Sequence, residues 1–290
     1  MRRLPARLIG GLALALATAV MAACTSAAVP QPAPGPGGTA VPTPDHVVVV
    51  VLENHNADAI IGAPDAPYLT SLADQGAVFT NAHAITHPSQ PNYLALFSGD
   101  TQGITDDSCP HSSAAANLGS ELTAAQLSFA GYSEDLPGTG YTGCFPGQYD
   151  RNHAPWVDFT NLPGSVNLPY TQFPPDPERL PTLSFVIPNL CHDMHNCDVA
   201  TGDSWLHTNI AGYLAWARAH NSMLVITFDE SDDSPSNRIA TMVLGPMVVA
   251  GQYGEYVDHY RMLRTLEQMY RLPALGHSAQ TAPVTDVWTH

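Results

Sequence analysis

The sequence predicts an α/β fold built on a mostly parallel central sheet with helices on both faces. Two observations carry that expectation. Continuous β-branched and aliphatic runs of strand length recur between stretches of helical length, and such runs mark strands buried on both faces. Acidic and amide side chains stand where those runs stop, which is where an open α/β sheet presents its ligands.

Asp45 to Leu52 (DHVVVVVL) is the first expected strand, and it ends abruptly in Glu53-Asn54. A helix is expected from about Ala66 to Gln75, a strand from Ala77 to Ala82, and then a helix opened by Ser89. Leu118 to Ser128 reads as a helix, and Phe129 to Ser133 as a strand running into Glu134-Asp135. Residues 136–181 are dense in Pro, Gly, Asn and aromatics without periodicity, so they should form long loops over one face and bear on substrate preference. Leu183 to Pro188 is a buried strand placed just before Cys191-His192-Asp193-Met194-His195. Asp203 to Ala219 is an amphipathic helix with an acidic residue near its start, matching the helix dipole. Met223 to Phe228 is a strand that stops at Asp229-Glu230; a strand over Ile239 to Leu244 and a helix over His259 to Tyr270 follow.

Upstream of the domain the chain carries a different signal. A basic start, MRRLPAR, leads into an apolar run that closes on small residues, the pattern of a secretory signal peptide over residues 1–23. Ala22-Ala23-Cys24 also resembles a lipobox, with Met21 where leucine is usual, so a lipid anchor at Cys24 and a freely secreted product are both open. Residues 24–44 are a Pro/Gly-rich linker, which leaves 45–290 as one domain. The expected location is therefore extracellular, secreted or tethered to the cell surface, with membrane contact only through that anchor.

All ten basic side chains other than histidine are arginine, and the formal net charge is -16, a balance that disfavours nucleic acid as a partner. Apart from Cys24 there are four cysteines, an even number that in an exported protein argues for two disulfides. Cys191 and Cys197 bracket a short loop, which favours that local bridge together with Cys109 to Cys144. No C-x-x-C spacing supports a zinc site among them.

The polar constellation is sharper. Glu53, Asn54, Asp229 and Glu230 offer hard oxygen ligands from two strand ends and suggest a divalent cation site. Ser89 lies in HPSQPNYLALFSG (87–99), at a helix start whose dipole favours both an alkoxide and a bound phosphate oxygen; a plain capping serine would look the same. His195 is suited to hold a phosphoryl oxygen or to protonate a leaving group. His87 and Asn92 near the serine, Asp193 in the DMH segment, Asp203 and His259 are further candidates for phosphate contacts or supporting positions, and caps and turns use the same residue types.

These motifs resemble the bacterial phosphoesterase family of the alkaline phosphatase superfamily. The resemblance rests on EN (53–54), HPSQPNYLALFSG (87–99), DMH (193–195), GDSWL (202–206) and TFDE (227–230), and it extends from about His46 to Trp288. The family contains secreted acid phosphatases, with the likeness strongest to the mycobacterial branch, and phospholipases C of the phosphatidylcholine type. The resemblance implies an alkaline-phosphatase-like sheet and a serine, Ser89, that is transiently phosphorylated. It also implies a catalytic cation of unknown identity, with calcium, magnesium and zinc all open, held by Glu53, Asn54, Ser89, Asp229 and Glu230, and His195 on the phosphate side. The implied activity is hydrolysis of phosphate monoesters, on small molecules or lipid headgroups. A diester-cleaving phospholipase C and a non-catalytic surface binding protein are the alternatives.

Overall fold

The computed structural model describes Met1, residues 40–232 and residues 234–289; the expected signal peptide and all but the last part of the linker lie outside the described residues. The chain divides into Met1–Gly35 and Pro36–His290, and the sheet and helices belong to the second unit. Among the described residues no helix is long and apolar enough to cross a membrane.

Eight strands form one sheet in the order β4-β3-β5-β1-β6-β7-β2-β8. They are β1 (His46–Leu52), β2 (Ala77–Ala82), β3 (Phe129–Ser133), β4 (Asn167–Pro169), β5 (Leu183–Ile187), β6 (Ser222–Phe228), β7 (Thr241–Leu244) and β8 (Gly251–Val257). Only β7 runs antiparallel to its neighbours, so the sheet is mostly parallel, as the strand-helix alternation predicts. The five consecutive valines of β1 lie at its centre, all but fully excluded from solvent. Each side chain buried in this way contributes about 1.5–3 kcal/mol of transfer free energy. β8 has no counterpart in the sequence reading, because its segment QYGEYV is polar and alternates in exposure at the sheet edge, where no apolar run is required.

Among the described residues five α-helices accompany the sheet: α1 (Pro67–Ala73), α2 (Ser89–Ser98), α3 (Leu118–Ala124), α4 (Val199–Ala217) and α5 (His259–Met269). α2 is buried along its entire length, which is why its sequence shows so little amphipathicity. It stops at Gly99, whose φ is 72° and where a Cβ would come within 2.0 Å of the Leu275 carbonyl oxygen. Only glycine meets both demands.

α4 departs from expectation: it begins at Val199, capped by the Asp198 side chain on the Thr201 amide, so Asp203 sits inside the helix and does not start it. Within α4, Asp203 serves as the cap of another helix. Its two carboxylate oxygens accept the backbone N–H groups of Tyr68 (3.0 Å) and Leu69 (2.8 Å), capping α1, whose own N-cap residue, Ala66, offers no side-chain acceptor. Asp203→Ala is therefore expected to cost about 1–2 kcal/mol of stability, read as a lower urea midpoint at unchanged slope.

The segment 136–181 is mostly loop, with short 3-10 turns and β4, and it is tied down. Cys109 and Cys144 form a disulfide, Trp156 packs against Gly131 of β3, and buried Arg151 pairs with Asp158 (2.8 Å) while donating to the Thr142 and His111 carbonyls. The second disulfide, Cys191 to Cys197, closes the loop after β5. Both bridges are the pairings favoured by spacing.

Candidate active site

The parallel register of β1 on β6 pairs Leu52 with Phe228, so the next residues of both strands, Glu53-Asn54 and Asp229-Glu230, emerge side by side. The Asp229 amide donates to the Leu52 carbonyl (2.9 Å), and the Asn54 amide reaches Asp229 Oδ1 (3.3 Å). Asn54 accomplishes this with φ 45°, a left-handed turn that asparagine tolerates better than most residues.

Ser89 faces this pair. It is the first residue of α2, with Pro88 in the cap position, so its hydroxyl is not spent on capping the helix. Ser89 Oγ lies 3.2 Å from Glu53 Oε2, 3.2 Å from Glu230 Oε1 and 3.4 Å from Asn54 Oδ1. The serine and the four strand-end residues of the expected cation site thus stand together. The α2 amide at Gln90 is already engaged, donating to Asp107 Oδ1 at 2.9 Å, so a carboxylate occupies the helix end expected to attract a phosphate oxygen.

The remaining candidates divide. His87 Nδ1 lies 2.5 Å from Glu230 Oε2 and holds that carboxylate. His259 is buried in α5 and its Nε2 reaches the Asp229 carbonyl oxygen at 2.6 Å, so it supports the strand end from behind; burial pushes its pKa down, consistent with a neutral ring donating there. Asn92 does not face the cluster as a phosphate ligand. Its Oδ1 accepts the Ile85 and Thr86 amides and its Nδ2 donates to the Thr86 and Pro88 carbonyls, which shapes the approach to Ser89 and uses up the side chain. Asp193 is fully buried, its Oδ1 accepting the His195 amide at 2.8 Å. His195 is exposed on the rim, its ring centroid 6.1 Å from that of His153.

His153 has no place in the sequence reading. Nothing local marks it: it lies in a 3-10 turn of the aperiodic segment, far in sequence from every strand end. The turn delivers it, completely buried, between Glu53 and Asp193, and these three form a group whose ligand atoms lie within 4.8 Å of one another and which could hold a metal ion. Tyr93 of α2 is a second omission. Its ring stacks on His153 at 5.0 Å, and its hydroxyl donates to Glu53 Oε1.

The electrostatics favour a cation. Burial, then Asp229, push the Glu53 carboxyl well above the usual range, and burial followed by Glu230 does the same to Asp229. Burial also raises Glu230. Burial by itself would depress His153, but Glu53 and Asp193 more than offset it and push it up to about 10. Asp229 Oδ2 is buried without any hydrogen-bond partner, and the Asn54 amide oxygen faces only acceptors; turned over, its nitrogen would donate to Glu53 Oε2 (2.6 Å) and Asp229 Oδ1 (3.2 Å). A buried Asp229 oxygen without a hydrogen-bond partner, beside the oxygens of Glu53 and Glu230, fits a hard divalent cation.

Comparisons with known proteins identify the family and the fold. The family model described as the phosphoesterase family matches residues 63–273. A phosphatidylinositol-3-phosphatase of Mycobacterium tuberculosis is 49% identical over 84% of this chain and 82% of its own length. A phosphate-repressible acid phosphatase of Penicillium chrysogenum is 31% identical over 72% of this chain, which spans only 55% of the fungal protein. Among solved structures, a protein in the alkaline phosphatase superfamily from Vibrio parahaemolyticus superposes with a TM-score of 0.59 over 85% of this chain and 72% of its own, at 11% identity, a likeness of fold. With its sheet, its strand-end carboxylates and these relatives, the chain belongs to the phosphoesterase family, on an alkaline-phosphatase-like fold.

Proposed function

We propose that the protein is an exported, metal-dependent phosphatase that hydrolyses phosphate monoesters through a phosphoserine at Ser89. The observation that carries this reading is the position of Ser89 Oγ, 3.2–3.4 Å from oxygens of Glu53, Asn54 and Glu230. Glu53, Asn54, Asp229, Glu230 and Ser89 would hold a divalent cation, which supplies charge neutralisation for the phosphoryl oxygens and favours ionised serine. The oxygen-only donor set suits calcium or magnesium better than zinc.

Ser89 Oγ forms the new bond to phosphorus while the ester oxygen departs in line with the bonding electron pair. Glu53 Oε2 and Glu230 Oε1 are the nearest acceptors for the serine proton, and His87 fixes the other oxygen of Glu230. Near-complete burial of Ser89 keeps bulk water from the hydroxyl. In this reading His195, which is exposed, would hold a phosphoryl oxygen or give the leaving oxygen a proton. Water then attacks the phosphoserine, releasing phosphate and restoring the hydroxyl.

The mycobacterial relative's name supports a phosphoinositide or similar lipid headgroup among the substrates. The basic, apolar N-terminus and two disulfides support export. Turnover of p-nitrophenyl phosphate and of a phosphatidylinositol monophosphate, with a choline phosphodiester as contrast, tests the substrate class. The monoesters are expected to be cleaved and the diester spared; turnover of the diester alone would make the protein a phospholipase C-type enzyme.

A further inference from the structure

We propose that His153 is a positioning residue for this site, a clamp that fixes Glu53 and ties it to the loop bearing Asp193 and His195. The inference rests on the reading of Ser89 and Glu53 given above.

The two oxygens of Glu53 do different things. Oε2 faces Ser89 Oγ, while Oε1 turns away to accept the Tyr93 hydroxyl, with His153 Nε2 3.4 Å from it at ion-pair distance. On its other side His153 Nδ1 lies 3.4 Å from Asp193 Oδ2. Asp193 then accepts the His195 amide on Oδ1, and its carbonyl accepts the Glu53 amide at 2.9 Å. An unbroken series of contacts therefore runs from Ser89 through Glu53, His153 and Asp193 to His195.

The ring itself has little freedom. It is buried, stacked nearly flat on Tyr93 (interplanar angle 9°), and carried by a turn that Asp150 caps and that the Arg151 to Asp158 pair anchors. Glu53, His153 and Asp193 have the composition of a metal site, but the imidazole presents a different nitrogen to each carboxylate. A single ion chelated by all three residues would engage one nitrogen and strand the other against an oxygen. With one carboxylate 3.4 Å from each nitrogen, the imidazole stands between Glu53 and Asp193 as a charge contact to both, and Asp193 Oδ2 has no hydrogen-bond partner of its own. This placement fixes the direction of Glu53 Oε2 toward the serine, as outer partners of metal ligands do.

The test compares wild type, His153→Gln, His153→Ala and Ser89→Ala as full chains. The readouts are kcat and KM on p-nitrophenyl phosphate, calorimetric titration with Ca²⁺, Mg²⁺ and Zn²⁺, and circular dichroism for folding. In folded His153→Gln, kcat and the affinity for the activating ion are each expected to fall about 10- to 100-fold, with KM little changed. Added imidazole, filling the space left in His153→Ala, is expected to restore much of the lost rate. Wild-type turnover and ion affinity in the folded variants would overturn the clamp, as would a loss confined to KM or indifference to imidazole. If neither variant folds, His153 is a structural residue only and the proposal falls. Undiminished activity in Ser89→Ala would instead overturn the site reading itself, whereas a dead Ser89→Ala beside fully active His153 variants would remove the clamp alone.

Discussion

Ser89→Ala is expected to lower kcat on p-nitrophenyl phosphate by at least about 10⁴-fold, the scale on which hydrolases lose activity with their nucleophile. The substitution removes the one hydroxyl that faces Glu53, Asn54 and Glu230, and with it the phosphoryl acceptor. Folding should be little affected, because Pro88 holds the cap position and the Ser89 hydroxyl does not close the helix. Loss of activity in a folded variant thus reports on chemistry. Mass spectrometry of acid-quenched wild-type enzyme should find phosphate on the peptide containing Ser89 and nowhere else, and the alanine variant should carry none. A fully active Ser89→Ala enzyme would refute the phosphoserine mechanism.

Asp229→Asn is expected to act in opposite directions on activity and on metal-free stability. Asp229 is 1% exposed, its Oδ2 has no hydrogen-bond partner, and it stands against Glu53 and Glu230. Losing this charge should weaken cation binding and lower kcat by about 10³-fold or more, since each 1.36 kcal/mol of lost transition-state stabilisation is tenfold in rate. Without the cation, the same charge is buried among like charges, so the amide should stabilise the chelator-treated protein by about 1–2 kcal/mol.

A pH dependence follows from the raised carboxyls. Glu53 and Asp229 hold their protons more tightly in the folded chain than at their ordinary values of 4.5 and 3.8. The stability they provide is complete below those values and is lost as pH rises toward the raised folded ones. Urea unfolding in chelator should therefore show wild type losing stability from mildly acidic to neutral pH, with a shallower decline in Asp229→Asn. Saturating divalent cation should flatten the wild-type decline. Curves indifferent to both cation and substitution would contradict a cation site at these carboxylates.

The strands legible in the sequence are those whose burial leaves a local mark. The valine run of β1 and the MLVITF segment of β6 carry the length and β-branched composition of central strands, and their abrupt ends show where Glu53-Asn54 and Asp229-Glu230 emerge. β8 is an edge strand with solvent on its open side, so polar residues serve it and no pattern announces it. Asp203 illustrates another limit: an acidic residue near a helix start fits a dipole cap, yet its partners are amides of α1, 134 and 135 residues away.

From residue types alone come the α/β class, the serine at a helix start, the oxygen ligands at two strand ends and the local Cys191 to Cys197 bridge, because each rests on local periodicity, short spacing or strand termination. Of the pairings open to four cysteines, the 35-residue Cys109 to Cys144 bridge is favoured only as its complement. Tertiary structure decided the rest. The Leu52 to Phe228 register set the two acidic pairs side by side, and the packing of α2 turned Ser89 toward them. Folding of a loop anchored by Arg151 carried His153 between Glu53 and Asp193. These are contacts between residues far apart in sequence, and no local preference encodes the distance between them.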